Sequence, residues 1–227
     1  MLKLLLFDID GTLILAGGAG IRAMNLAFTE LYKVESGLAD VEVAGRIDMA
    51  ILRAALTKHD ISCEAFPEMV EKFRDAYCRH LRRTLVEAKD GRVLPGVRQL
   101  LSALRSKPGV RLSLATGNFR CGAELKLSYY GLWQYFEDGI FGEACEDRAE
   151  LIGIAKRELL PVEGGDVYVF GDTVHDIDAA RANSAIAVAV ASGFTDLEIL
   201  RTASPDFLFP DFSDCAVVLS ILGLGDG

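Results

Sequence analysis

An α/β fold built on a parallel sheet is what this chain predicts, and three observations carry the expectation. Residues 4–7, 110–115, 167–170 and 185–190 are short apolar runs with the length and texture of buried strands. Helical patterns fill the intervals between the later runs, and strands separated by helices form parallel sheets through right-handed crossovers. Three runs end in polar chemistry: Asp8-Ile9-Asp10-Gly11-Thr12, Thr116-Gly117-Asn118, and Gly171-Asp172-Thr173-Val174-His175-Asp176. In a parallel sheet these ends gather at one edge, where open α/β sheets bind ligands.

The first run feeds directly into two carboxylates. Charge is costly to desolvate without a partner, so Asp8 and Asp10 belong where the strand leaves the core. Two residues apart in an extended chain, they point to the same side. Gly11 lets the backbone turn sharply after them. Two converging acids suit a hard, oxygen-seeking cation such as magnesium (Mg2+). A helix-capping strand end would need only one acid.

The 227 residues suffice for one large domain, or for a domain with a smaller insertion. With 51% hydrophobic and 25% charged residues, the composition is that of an ordinary globular protein. The net charge of −9 argues against general binding to nucleic acid or to a membrane surface. The N-terminal apolar run is too short for a signal peptide or a membrane span, and no longer run occurs. Cys63, Cys78, Cys121, Cys145 and Cys215 are odd in number and form no C-x-x-C pair. They are expected to be reduced thiols in a cytoplasmic protein.

Along the chain, Ala16-Gly17-Gly18-Ala19-Gly20 reads as a flexible exit or hinge, because no strand leads into it and no Gly-Lys-Ser/Thr follows. From Ile21 to about Leu85 the pattern is helical, in three segments. Ile21, Met24, Ala27, Phe28 and Leu31 mark the first. Ile51, Leu52, Ala55 and Leu56 mark the second, over residues 47–59. The third starts near Pro67 and carries Val70, Phe73, Tyr77 and Leu81. No strand-like alternation interrupts them, so residues 16–90 read as an all-helical module inserted between residues 1–15 and 91–227. Beyond it, helices are expected at 97–106, 122–130, 148–160, 176–183 and 214–222, with short strands at 139–141 and 207–209.

Taken in order, these motifs resemble those of the haloacid dehalogenase superfamily, in its phosphatase branch related to phosphoglycolate phosphatase. The first motif of that family, Asp-x-Asp-Gly-Thr-Leu, is matched by Asp8 to Leu13. The second, a Ser or Thr after a strand, is matched by Thr116, and the fourth by Gly171, Asp172 and Asp176. The third is a lysine or, less often, an arginine. Arg148 at an expected helix start is the better placed, and Lys156, two turns further on, is the alternative. The resemblance covers essentially the whole chain. It implies a three-layer Rossmann-like α/β core, residues 1–15 and 91–227, and an all-helical cap, residues 16–90.

The same resemblance implies a chemistry. Asp8 would attack phosphorus and form an aspartyl-phosphate. Asp10 would protonate the leaving alkoxide and then take a proton from the hydrolytic water. Magnesium would sit on Asp8 and Asp172, with the backbone carbonyl of Asp10, while Asp176 ligates directly or through a water. Thr116, Arg148 and backbone groups at Ile9 and Gly117 would clamp the phosphoryl oxygens. Asn118 either touches phosphate or caps the next helix. Gly45-Arg46-Ile47-Asp48 resembles a Gly-x-Thr-Asp cap turn that points into the active site, with Ile47 in place of Thr. Arg46 then either reads the leaving group or is a surface arginine beside a capping Asp48.

His175 and Asp178 need no part in hard-cation chemistry, and Arg79, His80, Arg82 and Arg83 read as a solvated helix face. The implied activity is magnesium-dependent phosphomonoester hydrolysis of a small phosphorylated metabolite, phosphoglycolate being the family's guess, by a monomer or homodimer. Dehalogenases and phosphonatases of the superfamily lack the second acid, which Asp10 supplies. Related sugar-phosphate mutases carry further polar residues after the first motif, where this chain has Ile14-Leu15-Ala16-Gly17-Gly18. A catalytically silent binding protein would be marked by loss of Asp8.

Overall fold

The computed structural model describes residues 2–160 and 164–225; the ends of the expected core segments, and residues 161–163 within it, lie outside the described residues. The chain runs through β1 (Lys3–Phe7), β2 (Ile14–Leu15), α1 (Ala19–Tyr32), α2 (Asp48–Lys58), α3 (Phe66–Glu87), β3 (Arg92–Val93), α4 (Val97–Arg105) and β4 (Val110–Thr116). It continues through α5 (Arg120–Tyr129), β5 (Asp138–Phe141), α6 (Arg148–Leu159), β6 (Asp166–Gly171), α7 (Val174–Ala182), β7 (Ile186–Val190), α8 (Leu197–Thr202), β8 (Phe207–Phe209) and α9 (Cys215–Ile221). Six strands form one parallel sheet in the order β5-β4-β1-β6-β7-β8. The expected α/β fold, a parallel sheet flanked by helices, is the fold observed.

The apolar run of β1 explains its central place. Leu5 and Phe7 pack into one hydrophobic cluster, and Leu4 and Leu6 into a second. Alternate residues of a strand face opposite sides, so β1 is buried on both faces and the two clusters are the two cores of a three-layer molecule. Leu151, Ile152, Ile177 and Ala180 of α6 and α7 cover one face. Leu100, Leu101 and Leu104 of α4, with Val218 of α9, cover the other.

Helices α1, α2 and α3 lie between β2 and β3, which pair antiparallel as Ile14 with Val93 and Leu15 with Arg92. That short ladder fastens the point where the helical segment leaves to the point where it returns. Gly17 and Gly18 turn the chain at positive φ, while Ala19 and Gly20 already belong to α1, so the expected hinge is shorter than five residues. Helix α7 begins two residues before its expected start because Thr173 and Asp176 form a capping box. Helix α8 has no counterpart in the sequence reading; Asp196 caps it by accepting from the Glu198 amide.

The cysteine expectation is corrected. Cys78 of α3 and Cys121 of α5 form a disulfide across a Cα–Cα distance of 6.5 Å, while Cys63, Cys145 and Cys215 are free. The two lie 43 residues apart. They meet because α3 packs on α5 with the Tyr77 ring against Gly122, where an added Cβ would lie 2.8 Å from a ring carbon. Spacing along the chain carries no signal of that packing. The bond removes the reduced-thiol part of the case for a cytoplasmic protein. Among the described residues no helix is long and apolar enough to cross a membrane.

Candidate active site

The site stands where β4, β1 and β6 end side by side. Phe7 is in register with Leu114 on one flank and Phe170 on the other, and the Asp8 amide still donates to the Phe170 carbonyl at 2.9 Å. The residues that follow, Asp8, Thr116 and Asp172, therefore leave the sheet at one edge.

Carboxylate oxygens of Asp8, Asp172 and Asp176 lie within 4.8 Å of one another, and all three residues are buried. Arg148, buried at the start of α6, reaches into this group. Its Nη2 is 3.1 Å from Asp8 Oδ2, its Nε donates to Asp176 Oδ1 at 2.9 Å, and Nη2 donates to the same oxygen. Asp176 also accepts from the Thr173 amide at 3.1 Å and the Thr173 hydroxyl at 2.7 Å. Asp172 accepts from the Phe194 amide at 2.8 Å and the Thr12 hydroxyl at 3.4 Å.

Three acids here face one guanidinium. Burial pushes the Asp172 carboxyl well above the ordinary range, and the charges on Asp176 and Asp8 push the same way. Burial raises Asp8 too, with Arg148 opposing. A cluster so short of positive charge, offering only oxygen donors, fits a hard divalent cation such as magnesium. The surroundings are cut to leave it room. A Cβ on Gly11, whose φ is +85°, would lie 2.2 Å from Asp172 Oδ2, and one on Gly193 would lie 2.1 Å from the same atom.

Asp10 is not brought into that cluster by its carboxylate. Asp10 Oδ2 instead accepts from Lys126 Nζ at 2.5 Å and from Asn118 Nδ2 at 3.0 Å. Asn118 Oδ1 accepts from Lys126 at 2.6 Å, and Thr116 Oγ1 accepts from Asn118 Nδ2 at 2.9 Å. Lys126 is absent from the sequence reading. Its burial is a matter of packing: Gly122, Ala123, Lys126 and Leu127 form the buried stripe of α5, and a buried lysine on such a stripe is the informative exception.

Of the two third-motif candidates, Arg148 joins the acids, whereas Lys156 donates to the Asn183 carbonyl at 2.8 Å. The Ile9 side chain is core, so any ligand contact there is its backbone. Arg46 lies along the cavity, half-exposed, with Nη1 3.4 Å from Glu42. Its neighbour Asp48 is buried. The Asp48 amide donates to the Gly117 carbonyl at 2.8 Å and its Oδ2 accepts from the Phe119 amide at 2.8 Å, which ties the start of α2 to the loop after β4. Burial pushes the Asp48 carboxyl up to about 7, against the pull of Lys126. His175 and Asp178 stand outside the cluster, His175 4.0 Å from Glu42 and Asp178 paired with Arg181 at 3.1 Å.

Fold and site together define an α/β protein with a carboxylate centre at the C-terminal edge of its sheet. The chain belongs to the haloacid dehalogenase-like hydrolases, whose family model matches residues 5–181. It is 27% identical over 223 residues to a phosphoglycolate phosphatase from Nitrosospira multiformis, covering 96% of each chain. Among solved structures it resembles a hydrolase from Pseudomonas syringae, with a TM-score of 0.71, 20% identity and all of both chains covered. It also resembles a β-phosphoglucomutase from Clostridium difficile, with a TM-score of 0.69 and 18% identity over 94% of this chain and 93% of that one. At such identities these two likenesses are of fold.

Proposed function

We propose that this protein is a magnesium-dependent phosphomonoester hydrolase acting on a small phosphorylated metabolite through an aspartyl-phosphate on Asp8. The carrying observation is the convergence of Asp8, Asp172, Asp176 and Arg148 at one sheet edge, with Asp10 held just outside it. Phosphoglycolate, named for the Nitrosospira relative, is the first natural substrate to assay.

Asp8 attacks the phosphorus in line, a P–O bond forms to its carboxylate, and the bond to the leaving alcohol breaks. Asp10 gives the departing alkoxide a proton. Because Oδ2 of Asp10 is occupied by Lys126 and Asn118, the proton belongs on Oδ1. Asp10 then takes a proton from water as that water attacks the aspartyl-phosphate, which returns the Asp8 carboxylate and releases inorganic phosphate. Thr116 Oγ1 accepts from both the amide and the side chain of Asn118, so its own proton is free to donate to a phosphoryl oxygen. Arg148 orients Asp8 and offers its remaining N–H groups to phosphate. Asp8, Asp172 and Asp176 would hold magnesium, which would supply positive charge against the phosphoryl oxygens.

On this reading residues 16–90 are a cap over residues 1–15 and 91–227, with Arg46, Ile9, Gly117 and Asn118 facing the substrate. The test is hydrolysis of p-nitrophenyl phosphate with and without magnesium, by the natural chain and by Asp8→Asn. Turnover that ignores both the metal and the substitution would overturn the proposal.

A further inference from the structure

The cavity beside the site holds about 510 Å³, inside the range of roughly 300–1,000 Å³ that encloses drug-sized ligands. Its wall away from the acids is apolar: Leu15, Ile21, Met24, Val43 and Ile51. Each basic side chain nearest the reacting end is already matched to an acid. Arg148 holds Asp8 and Asp176, Lys126 holds Asp10, and Arg46 holds Glu42. Asp48 and Asp10 line the same space, so a second negative charge on a ligand would meet acids there.

One donor in this wall lacks an acceptor among the described residues. The Tyr77 hydroxyl is completely buried, and among the described residues no group accepts its proton. A buried donor left without an acceptor forfeits its hydration, so the folded chain gains when something accepts that proton. The nearby Lys126 ammonium is a donor only and cannot accept the Tyr77 proton. Gly20 marks where the two meet the cavity: a Cβ there would lie 3.4 Å from Lys126 Nζ and 3.9 Å from Tyr77 Oη. A donor thus waits for an acceptor in a large, mainly apolar chamber; the cations nearest its reacting end are paired with acids, and Arg92, also in its lining, donates to the Asp90 carbonyl.

We propose that the leaving group this pocket is built for is an uncharged alcohol with an apolar body and an acceptor oxygen that takes the Tyr77 proton, rather than a short hydroxy acid. The inference rests on the phosphatase reading above and narrows its substrate class. The phosphoryl end lies at Asp8, and the alcohol extends along Ile21, Met24 and Ile51 past Tyr77.

The test measures kcat/KM with magnesium for phosphoglycolate, benzyl phosphate and 4-methoxybenzyl phosphate, in the natural chain and in Tyr77→Phe. The two aromatic esters should exceed phosphoglycolate by about tenfold or more. Tyr77→Phe should slow the methoxy ester at least about fivefold more than the benzyl ester, since only the first offers an acceptor. Phosphoglycolate equal to or faster than the neutral esters overturns the proposal, and so does a Tyr77→Phe effect equal on both. Circular dichroism and p-nitrophenyl phosphate turnover of the same preparations separate the two readings. Turnover of that ester with the wrong pattern sinks only this inference, while its absence in the folded natural chain sinks the phosphatase reading as well.

Discussion

Lys126 Nζ lies 2.5 Å from Asp10 Oδ2, joined from within the buried stripe of α5. The same ammonium holds Asn118 at 2.6 Å, so one lysine fixes both neighbours of the expected proton-transfer position. Burial works against its charge, yet the adjacent acids hold its pKa above the ordinary lysine value.

Lys126→Met should therefore lower kcat more than it raises KM. The Asp10 carboxylate would lose its anchor, and a misplaced general acid forfeits a part of the roughly 10²–10⁴-fold such groups supply. We expect kcat on p-nitrophenyl phosphate to fall by about 10–100-fold. A variant that folds, as judged by circular dichroism, and keeps its kcat within about twofold would remove Lys126 from the chemistry.

Asp48 links the protein's stability to pH. Its carboxyl is pushed up to about 7 from an ordinary value of 3.8, so the folded chain holds this proton more tightly than the unfolded chain. Below the lower value both states are protonated and nothing is lost. As pH rises between the two values the unfolded state ionises first and stability falls, reaching a loss of about 4 kcal/mol above the upper one. Asp48→Asn keeps an acceptor for the Phe119 amide and cannot ionise. In urea unfolding it should gain on the natural chain at about pH 8 and gain much less at about pH 5. Equal gains at both would show that the Asp48 carboxyl does not carry this linkage.

The parallel sheet was legible because its strands are plain apolar runs, and the acids at its edge were legible because carboxylates rarely follow such runs. Asp8, Asp172 and Asp176 meet as that pattern predicts, and Arg148 joins them. What escaped depends on packing between segments distant in sequence. Lys126 looks like any helix lysine until α5 is seen to bury it against Asp10, 116 residues away. Asp48 looks like a cap residue, but its carboxylate accepts from Phe119 across 71 residues. The Cys78–Cys121 pair belongs with them, since nothing local brings two helices into contact.

The disulfide predicts a countable result. Denatured without reductant, the chain should present three thiols to a thiol reagent, Cys63, Cys145 and Cys215, and all five after treatment with a dithiol. A crosslink across 43 residues restricts the unfolded chain by about 4 kcal/mol in the loop-entropy account. Reduction should lower the urea midpoint accordingly, and Cys78→Ser should reproduce the loss without reductant. A count of five before reduction would sink this prediction.

Metal binding should be readable without any substrate. Asp8, Asp172 and Asp176 crowd together with only Arg148 between them, so the folded chain gains by taking a divalent cation that the unfolded chain binds weakly. At a magnesium concentration of about 100 times the dissociation constant the gain is about 2.7 kcal/mol. The unfolding midpoint should rise with magnesium and return with a chelator. Asp172→Asn removes one of the three carboxylates and relieves their mutual repulsion. It should therefore raise the metal-free midpoint while shrinking the response to magnesium. Sodium chloride at matched ionic strength is the control, because general screening would act on both chains alike. If magnesium stabilises Asp172→Asn as much as the natural chain, the cation binds somewhere other than this cluster.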